Sequence, residues 1–305
     1  MSRVLVTGGT GFIGSWVVRE LVARGCDIRI FDLKPRPEVL DFVAPGQARR
    51  VEIVSGDITD RDAVFAAVNG CDAIVHLVGL MTVDCRENPQ AGIAVNLTGS
   101  QHVFDAAAAH GVTRVAYAST GAVYGPDSGE VVRPMSLYGV LKLALEGVAR
   151  VAFADHGISS AGFRPYIVYG AGESAGIAAG PSIALQAAAR GKPATIRFSG
   201  KVGFVHVSDV AGAFAASLTD APEGAHVYDL AGDTREMSEF LSLLKAEVPG
   251  AQIAVEGPPL RMPETYSGGD RSAWFDARAV TALEAGILQS LGHWNAALQQ
   301  EKVQA

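Results

Sequence analysis

The chain has 305 residues, 49% of them hydrophobic and 19% charged, with 35 Gly and 14 Pro. That composition excludes intrinsic disorder and low-complexity behaviour, and a chain of this length buries roughly three-quarters of the surface its unfolded form exposes. A net charge of −7 with no basic run argues against nucleic-acid binding, and no apolar stretch is long and unbroken enough for a transmembrane helix.

Taken in chain order, strand-length apolar runs alternate with helical patterns through the first half. Arg3–Thr7 reads as a strand, Phe12–Arg24 as a helix and Asp27–Asp32 as a second strand. Val51–Ser55 is a third strand, Asp60–Asn69 a helix and Ala73–Leu77 a fourth strand. Long helices over Pro89–His110 and Met135–His156 flank a strand at Arg114–Ser119, and Ser159–Arg164 follows as another strand. This alternation predicts an α/β fold, a Rossmann-type doubly wound parallel sheet. After Arg164 the rhythm changes: a Gly-rich loop at 170–176, an Ala-rich helix at Ser182–Arg190, a strand end running into a helix over Val205–Ser217, and a strand at Ala225–Leu230. The expected division is a cofactor-binding domain over 1–165 plus about 204–235, with 166–203 and 236–305 as a smaller C-terminal substrate-binding cap.

Cys26, Cys71 and Cys85 are odd in number and far apart, which suits neither a disulfide framework nor a metal site. Met1-Ser2-Arg3 runs straight into the first strand without a secretory apolar segment, so the expectation is a reduced, cytoplasmic location and no bound metal.

The first strand ends in Thr7-Gly8-Gly9-Thr10-Gly11-Phe12-Ile13-Gly14, which contains Gly-x-Gly-x-x-Gly. Glycines there permit a tight turn, close approach of backbone to a pyrophosphate, and close helix–strand packing. The anion then lies on the N–H groups and positive end of the following helix. The strand precedes the loop, the helix follows it, and Asp32 ends the next strand 18 residues after Gly14. Asp32 is placed to accept from ribose hydroxyls and to repel a 2′-phosphate, which favours NAD over NADP. Lys34 and Arg36 lie just beyond it and read better as a solvated loop than as phosphate ligands.

Tyr138 and Lys142 are four apart, on one face of a helix. A phenol with a pKa near 10 is a poor base at neutral pH, and a neighbouring ammonium lowers it. Such a pair alone is an ordinary helix-surface feature. It gains weight here by following the strand that ends at Ser119-Thr120.

From Val4 to about Ala215 these motifs resemble, in order, the extended short-chain dehydrogenase/reductase family, the NAD-dependent epimerase/dehydratase group. Besides the Thr7–Gly14 loop, the resemblance covers Gly56-Asp57-Ile58-Thr59-Asp60, His76-Leu77-Val78-Gly79, Asn96-Leu97-Thr98-Gly99, Ser119-Thr120-Gly121-Ala122-Val123-Tyr124-Gly125, Tyr138-Gly139-Val140-Leu141-Lys142 and Arg164-Pro165-Tyr166-Ile167-Val168-Tyr169-Gly170. It implies cofactor contacts by Gly8, Gly11, Phe12, Ile13, Gly14, Asp32, Asp57, Ile58, Leu77, Val78, Gly79, Asn96, Tyr138, Lys142, Tyr166 and Val168. It also implies catalysis by Tyr138 and Lys142 with a hydroxyl from Thr120, Ser119 being the competing candidate one residue away. Thr120 is the implied substrate contact, and Met81 and Thr82 after the strand-four motif, with Gly172–Ser174 in the capping loop, read as pocket wall. A homodimer follows by analogy with the family. His76 and His206 read as structural, and Cys85 as a buried or partly exposed thiol.

Departures from the family pattern narrow the substrate. The family's dehydratases carry acidic residues where Gly121 and Ala122 stand, and its nucleotide-sugar epimerases carry an Asn where Ile167 stands. Val202, Gly203 and Ser267-Gly268-Gly269-Asp270 occupy regions where arginines would grip a diphosphate. The expectation is therefore hydride transfer at a secondary alcohol or ketone of a small sugar, polyol, sugar acid or hydroxy acid. An epimerase is the alternative, and a non-catalytic NAD-binding scaffold fits least because Tyr138 and Lys142 are both present. Arg133, Lys201 and Arg271 are available to pair a substrate carboxylate, though each reads first as a surface charge.

Overall fold

Short apolar segments separated by turn residues build the centre of the molecule; the computed structural model describes residues 2–173, 175–176 and 178–304. In chain order, the first half comprises β1 (Arg3–Thr7), α1 (Phe12–Ala23), β2 (Asp27–Asp32), α2 (Pro37–Val43), β3 (Glu52–Ser55), α3 (Arg61–Val68), β4 (Ala73–His76), α4 (Thr82–Glu87), α5 (Pro89–Ile93), α6 (Ser100–His110), β5 (Arg114–Ala118), α7 (Leu137–His156) and β6 (Ser159–Pro165). The rest comprises β7 (Ile167–Tyr169), α8 (Gly180–Ala189), β8 (Ala194–Ile196), β9 (Lys201–His206), α9 (Val207–Asp220), β10 (Ala225–Leu230), β11 (Asp233–Glu236), α10 (Met237–Glu247), β12 (Ile253–Val255), α11 (Ala273–Asp276) and α12 (Leu283–Gln304).

The central sheet has seven strands in the order β10-β6-β5-β4-β1-β2-β3, all parallel. Strand order reverses between β1 and β4, the switch point at which open α/β sheets open a crevice beyond their carboxyl ends. β4 is buried along its whole length, as a parallel strand covered on both faces requires. One apolar layer packs α1 and α9 against one face of the sheet, and a second, built on Leu5, Phe31, Val103 and Tyr117, fills the other.

Three features depart from the expectation or add to it. Pro89–His110 is not one regular helix: between α5 and α6 a π-helical turn spans Ala94–Gly99, widened around the fully buried Asn96. β9 does not enter the central sheet, but pairs with β7 and β11 in a separate three-stranded sheet, while β10 forms the edge of the central one. The tail, expected as helices mixed with loops, includes the long helix α12, which docks on the front half of the chain: His293 donates Nε2–H to the Phe42 carbonyl at 2.8 Å, and Trp294 packs on the Phe42 ring.

Candidate active site

The glycine loop is a cradle closed by backbone. Gly8 has φ +70°, open to glycine and strained for other residues, and a Cβ at Gly14 would lie 2.1 Å from the Gly8 oxygen. Gly11 stands at the head of α1, where no side chain caps the helix and no acid occupies the first turn. The positive end of α1 therefore keeps its N–H donors for a ligand. Phe12 and Ile13 form the first turn, half-buried.

At the end of β2, Asp32 accepts from the Thr10 hydroxyl at 2.6 Å through Oδ2. The same Thr10 oxygen accepts from the Arg36 N–H at 3.1 Å. Thr10 thus fixes the carboxylate's direction, a role the sequence reading did not give it, and among the described hydrogen bonds Oδ1 carries none. Asp57 turns its carboxylate to the Thr59 N–H and hydroxyl at 2.9 and 2.8 Å. Ile58 is buried beneath Gly99 of the π turn.

The π turn explains Asn96. Its amide accepts from the Leu80 N–H at 2.7 Å and donates to the Leu80 carbonyl at 2.8 Å, pinning the segment after β4. Leu77 and Val78 on that segment direct their N–H groups at the Thr7 hydroxyl, at 3.2 and 3.4 Å. A Cβ at Gly79 would lie 3.0 Å from Asn96 Oδ1 and 3.2 Å from Lys142 Nζ, so this glycine lets the segment approach the lysine. Asn96 acts through main chain rather than facing open space.

α7 begins at Leu137 because Ser136 caps it, accepting from the Gly139 N–H at 3.1 Å. Tyr138 and Lys142 on its first turns are both buried. Lys142 donates to the Ala118 carbonyl at the end of β5 at 2.8 Å. Burial lowers its pKa to about 8. The Tyr138 phenol is pushed up to about 12, because burial disfavours the phenolate more than the hydrogen bond from Thr120 favours it. The depressed tyrosine expected from the Tyr–Lys spacing is therefore not found; desolvation dominates. Thr120 and Ser119 separate clearly. Thr120 bonds Tyr138 and accepts from the Ala122 N–H at 3.1 Å. Ser119 is buried and donates to Glu146 at 2.5 Å, away from Tyr138's partner set.

Behind these residues lies a network the sequence reading missed. Glu146, one turn beyond Lys142, takes Nε and Nη2 of Arg164 at 2.8 and 2.7 Å. Arg164 donates through Nη1 to the Tyr124 hydroxyl at 2.7 Å, and Tyr124 donates to Asp229 at 2.9 Å. The available signal was a carboxylate four residues after Lys142, inside the apolar run Leu141–Ala149.

The other residues singled out in the sequence make contacts of their own. Tyr166 turns its hydroxyl to the Pro263 carbonyl at 2.6 Å, and Val168 is buried in β7. Met81 and Thr82 are exposed at the start of α4. Ser174 lies outside the described residues. His76 bridges Thr7 and Ser100 at 2.8 and 2.9 Å, and His206 lies between Ser208 and Ser290. Among the described residues no group of three His, Cys, Asp or Glu side chains is arranged to hold a metal, and no helix is long and apolar enough to cross a membrane.

Residues 4–231 match the sequence profile of the NAD dependent epimerase/dehydratase family. The chain belongs to that family. A protein y4nG of Sinorhizobium fredii, itself uncharacterised, is 32% identical over 254 residues, covering 80% of this chain and 60% of that protein. The uronate dehydrogenase of Pseudomonas putida is 31% identical over 170 residues, 53% of this chain and 60% of the enzyme. The matches thus leave two-fifths of each of these curated relatives uncovered. Among solved structures, the UDP-glucose 4-epimerase of Thermus thermophilus in complex with NAD superposes with a TM-score of 0.81 at 26% identity, over 97% of this chain and 99% of the epimerase. As a member of the epimerase/dehydratase family, this chain shares its fold with that epimerase across almost its full length.

Proposed function

We propose that this chain is an NAD-dependent oxidoreductase that acts at a secondary alcohol or ketone of a small sugar, polyol, sugar acid or hydroxy acid. The observation that carries the reading is the convergence of Thr120, Tyr138 and Lys142 at the carboxyl end of β5, beside the segment that Asn96 holds. The uncapped head of α1, the packed glycines Gly8, Gly11 and Gly14, and the free oxygen of Asp32 suit a dinucleotide whose ribose carries no 2′-phosphate. NAD, when bound there, supplies the two-electron acceptor.

The chain's own groups handle the proton. Thr120 holds the reacting oxygen and Tyr138 exchanges the hydroxyl proton with it, as general base in oxidation and general acid in reduction. Lys142, fixed by the Ala118 carbonyl, keeps a positive charge on the tyrosine's face of α7 and so favours the phenolate. Gly121 and Ala122 offer no proton-transferring group for a dehydration. The segment after Arg164 and the C-terminal third provide the substrate side of the cleft in this reading. Three free cysteines suit a reduced compartment. Val140 and Val151, 47% and 58% exposed on one face of α7, suit a homodimer.

The test follows absorbance of NADH with a panel of sugars, aldonates, uronates and hydroxy acids. Accumulation of NADH with one compact alcohol supports the reading. Interconversion of two epimers without net NADH would make the chain an epimerase, and NAD binding with no turnover of any alcohol would leave a scaffold.

A further inference from the structure

Residues 263–270 run as a strap across the carboxyl ends of β5 and β6 and along the edge of β10. Ser267 donates its N–H to the Gly129 carbonyl at 2.9 Å, and Gly269 donates to Asp229 at 2.7 Å. Asp270 donates its N–H to the Val227 carbonyl at 2.6 Å, and the Pro263 carbonyl accepts from Tyr166. A Cβ at Gly129 would lie 2.1 Å from the Thr265 oxygen, and one at Gly268 would lie 2.2 Å from the Glu130 oxygen. The strap is therefore laid directly against the 121–130 loop, without intervening side chains.

Its one large buried ring is Tyr266, 2% exposed. The ring stacks on Tyr124 at 5.0 Å and tilts against Tyr166 at 5.1 Å, and its hydroxyl donates to the Arg164 carbonyl at 3.0 Å. A Cβ at Gly121 would lie 2.6 Å from the Tyr266 hydroxyl oxygen and 2.8 Å from two ring carbons. Tyr266 thus fills the space that a side chain next to Thr120 would occupy. In an open parallel sheet the ligand crevice lies beyond the carboxyl ends of the strands. Here the strap lies at the ends of β5 and β6 and pairs along the edge of β10, and the glycine cradle follows β1.

We propose that Tyr266 is the specificity-determining residue of this site: its ring, locked beside Gly121, admits a compact hydroxy compound to Thr120 and Tyr138 and excludes one carrying a bulky second half, such as a nucleotide-linked sugar. The inference rests on the reading that Thr120 and Tyr138 hold the reacting oxygen. Tyr266 contributes volume rather than a proton, because its hydroxyl is committed to a main-chain acceptor and burial holds it well above the ordinary phenol range.

The experiment uses the full chain loaded with NAD, as wild type, Tyr266→Ala, Tyr266→Leu and Tyr266→Phe. UDP-glucose is the bulky probe; free glucuronate and L-threonine are the compact ones. Binding is read as the rise in Tm on adding each probe, and turnover as NADH formed. Removing the ring should improve the apparent affinity for UDP-glucose on the order of tenfold or more, while Tyr266→Phe stays at the wild-type value. A folded Ala or Leu variant that retains NAD and gains nothing for UDP-glucose overturns the proposal, as does a wild type that already binds UDP-glucose equally well. The Leu variant keeps the test open should the Ala variant not fold.

A thermal cycle tests the packing independently of any substrate. Gly121→Ala should lower Tm in the wild type and leave it nearly unchanged beside Tyr266→Ala. Equal losses in both backgrounds would show that the ring does not fill the space at Gly121. Absence of NADH with every probe removes the dehydrogenase reading, while the UDP-glucose binding arm still decides the role of Tyr266.

Discussion

Glu146 and Arg164 form a buried two-pronged ion pair at 2.8 and 2.7 Å, one helical turn beyond Lys142. The pair joins α7, which carries Tyr138 and Lys142, to β6, and Ser119 ties the same carboxylate to the end of β5. Removing one partner leaves the other charged and desolvated, a penalty of about 3–5 kcal/mol. Glu146→Ala is expected to lose stability on that scale in urea unfolding, and Ser119→Ala only about 1 kcal/mol. Comparable losses from both would mean that the ion pair does not hold the helix.

Tyr138→Phe removes the only group in the reading that exchanges the substrate proton. Turnover is expected to fall by about two to four orders of magnitude, with NAD affinity, measured by fluorescence titration, within about threefold of wild type because the loss is of chemistry rather than binding. Near-normal turnover would take Tyr138 out of the reaction.

With Tyr138 raised to about 12 and Lys142 lowered to about 8, the pH profile has a direction. Below the tyrosine's pKa each unit of pH raises the phenolate fraction tenfold, so oxidation should accelerate from pH 6 toward about 8. In the proposed mechanism the lysine's charge favours the phenolate, so its loss above about 8 should flatten the rise. Lys142→Met should remove that flattening and lower the rate at pH 7. A profile flat across this range would show that neither group titrates during turnover.

The central sheet was legible because its strands are apolar runs bounded by turn residues; the ends predicted for Arg3–Thr7, Asp27–Asp32 and Ala225–Leu230 coincide with those found. The place of Asp32 at a strand end and of Tyr138 and Lys142 on one helix was legible because each is set within a single element. The π turn was not, since nothing in Ala94–Gly99 sets a period of its own and Asn96 meets the Leu80 main chain only in the folded chain. β11 escaped notice because Asp-Thr-Arg-Glu has no apolar alternation and is a strand only through its pairing with β9. Tyr266 and Asp229 carry no local signal: their positions depend on where the strap and the last sheet strand meet the 121–130 loop.

Asp32 should set the coenzyme preference. Its carboxylate is aimed by Thr10, and a hydrogen bond to a charged group is worth about 1.5–3 kcal/mol. Asp32→Ala should weaken NAD binding by roughly 10- to 100-fold and weaken NADP binding less, since the same change removes repulsion of the 2′-phosphate. Equal losses for both coenzymes in titration calorimetry would show that the carboxylate does not read the ribose.

His76 and His206 make the fold sensitive to acid. Both are buried, and desolvation lowers their pKa values to about 3 and about 4. An unfolded histidine titrates near 6.5. Between that value and the folded one the unfolded chain binds a proton that the folded chain refuses, so stability rises with pH across this window and falls as the solution is acidified. Each histidine contributes a slope of about 1.4 kcal/mol per pH unit. His76 has Thr7 on one ring nitrogen and Ser100 on the other, with the charged Lys142 adding to the penalty on its protonated form. His76→Gln should therefore be less stable than wild type at pH 7, yet lose stability more gradually between pH 6 and 5, by one proton's worth of slope. Urea unfolding at a series of pH values measures both; parallel slopes for variant and wild type would mean that His76 takes up its proton in the folded state.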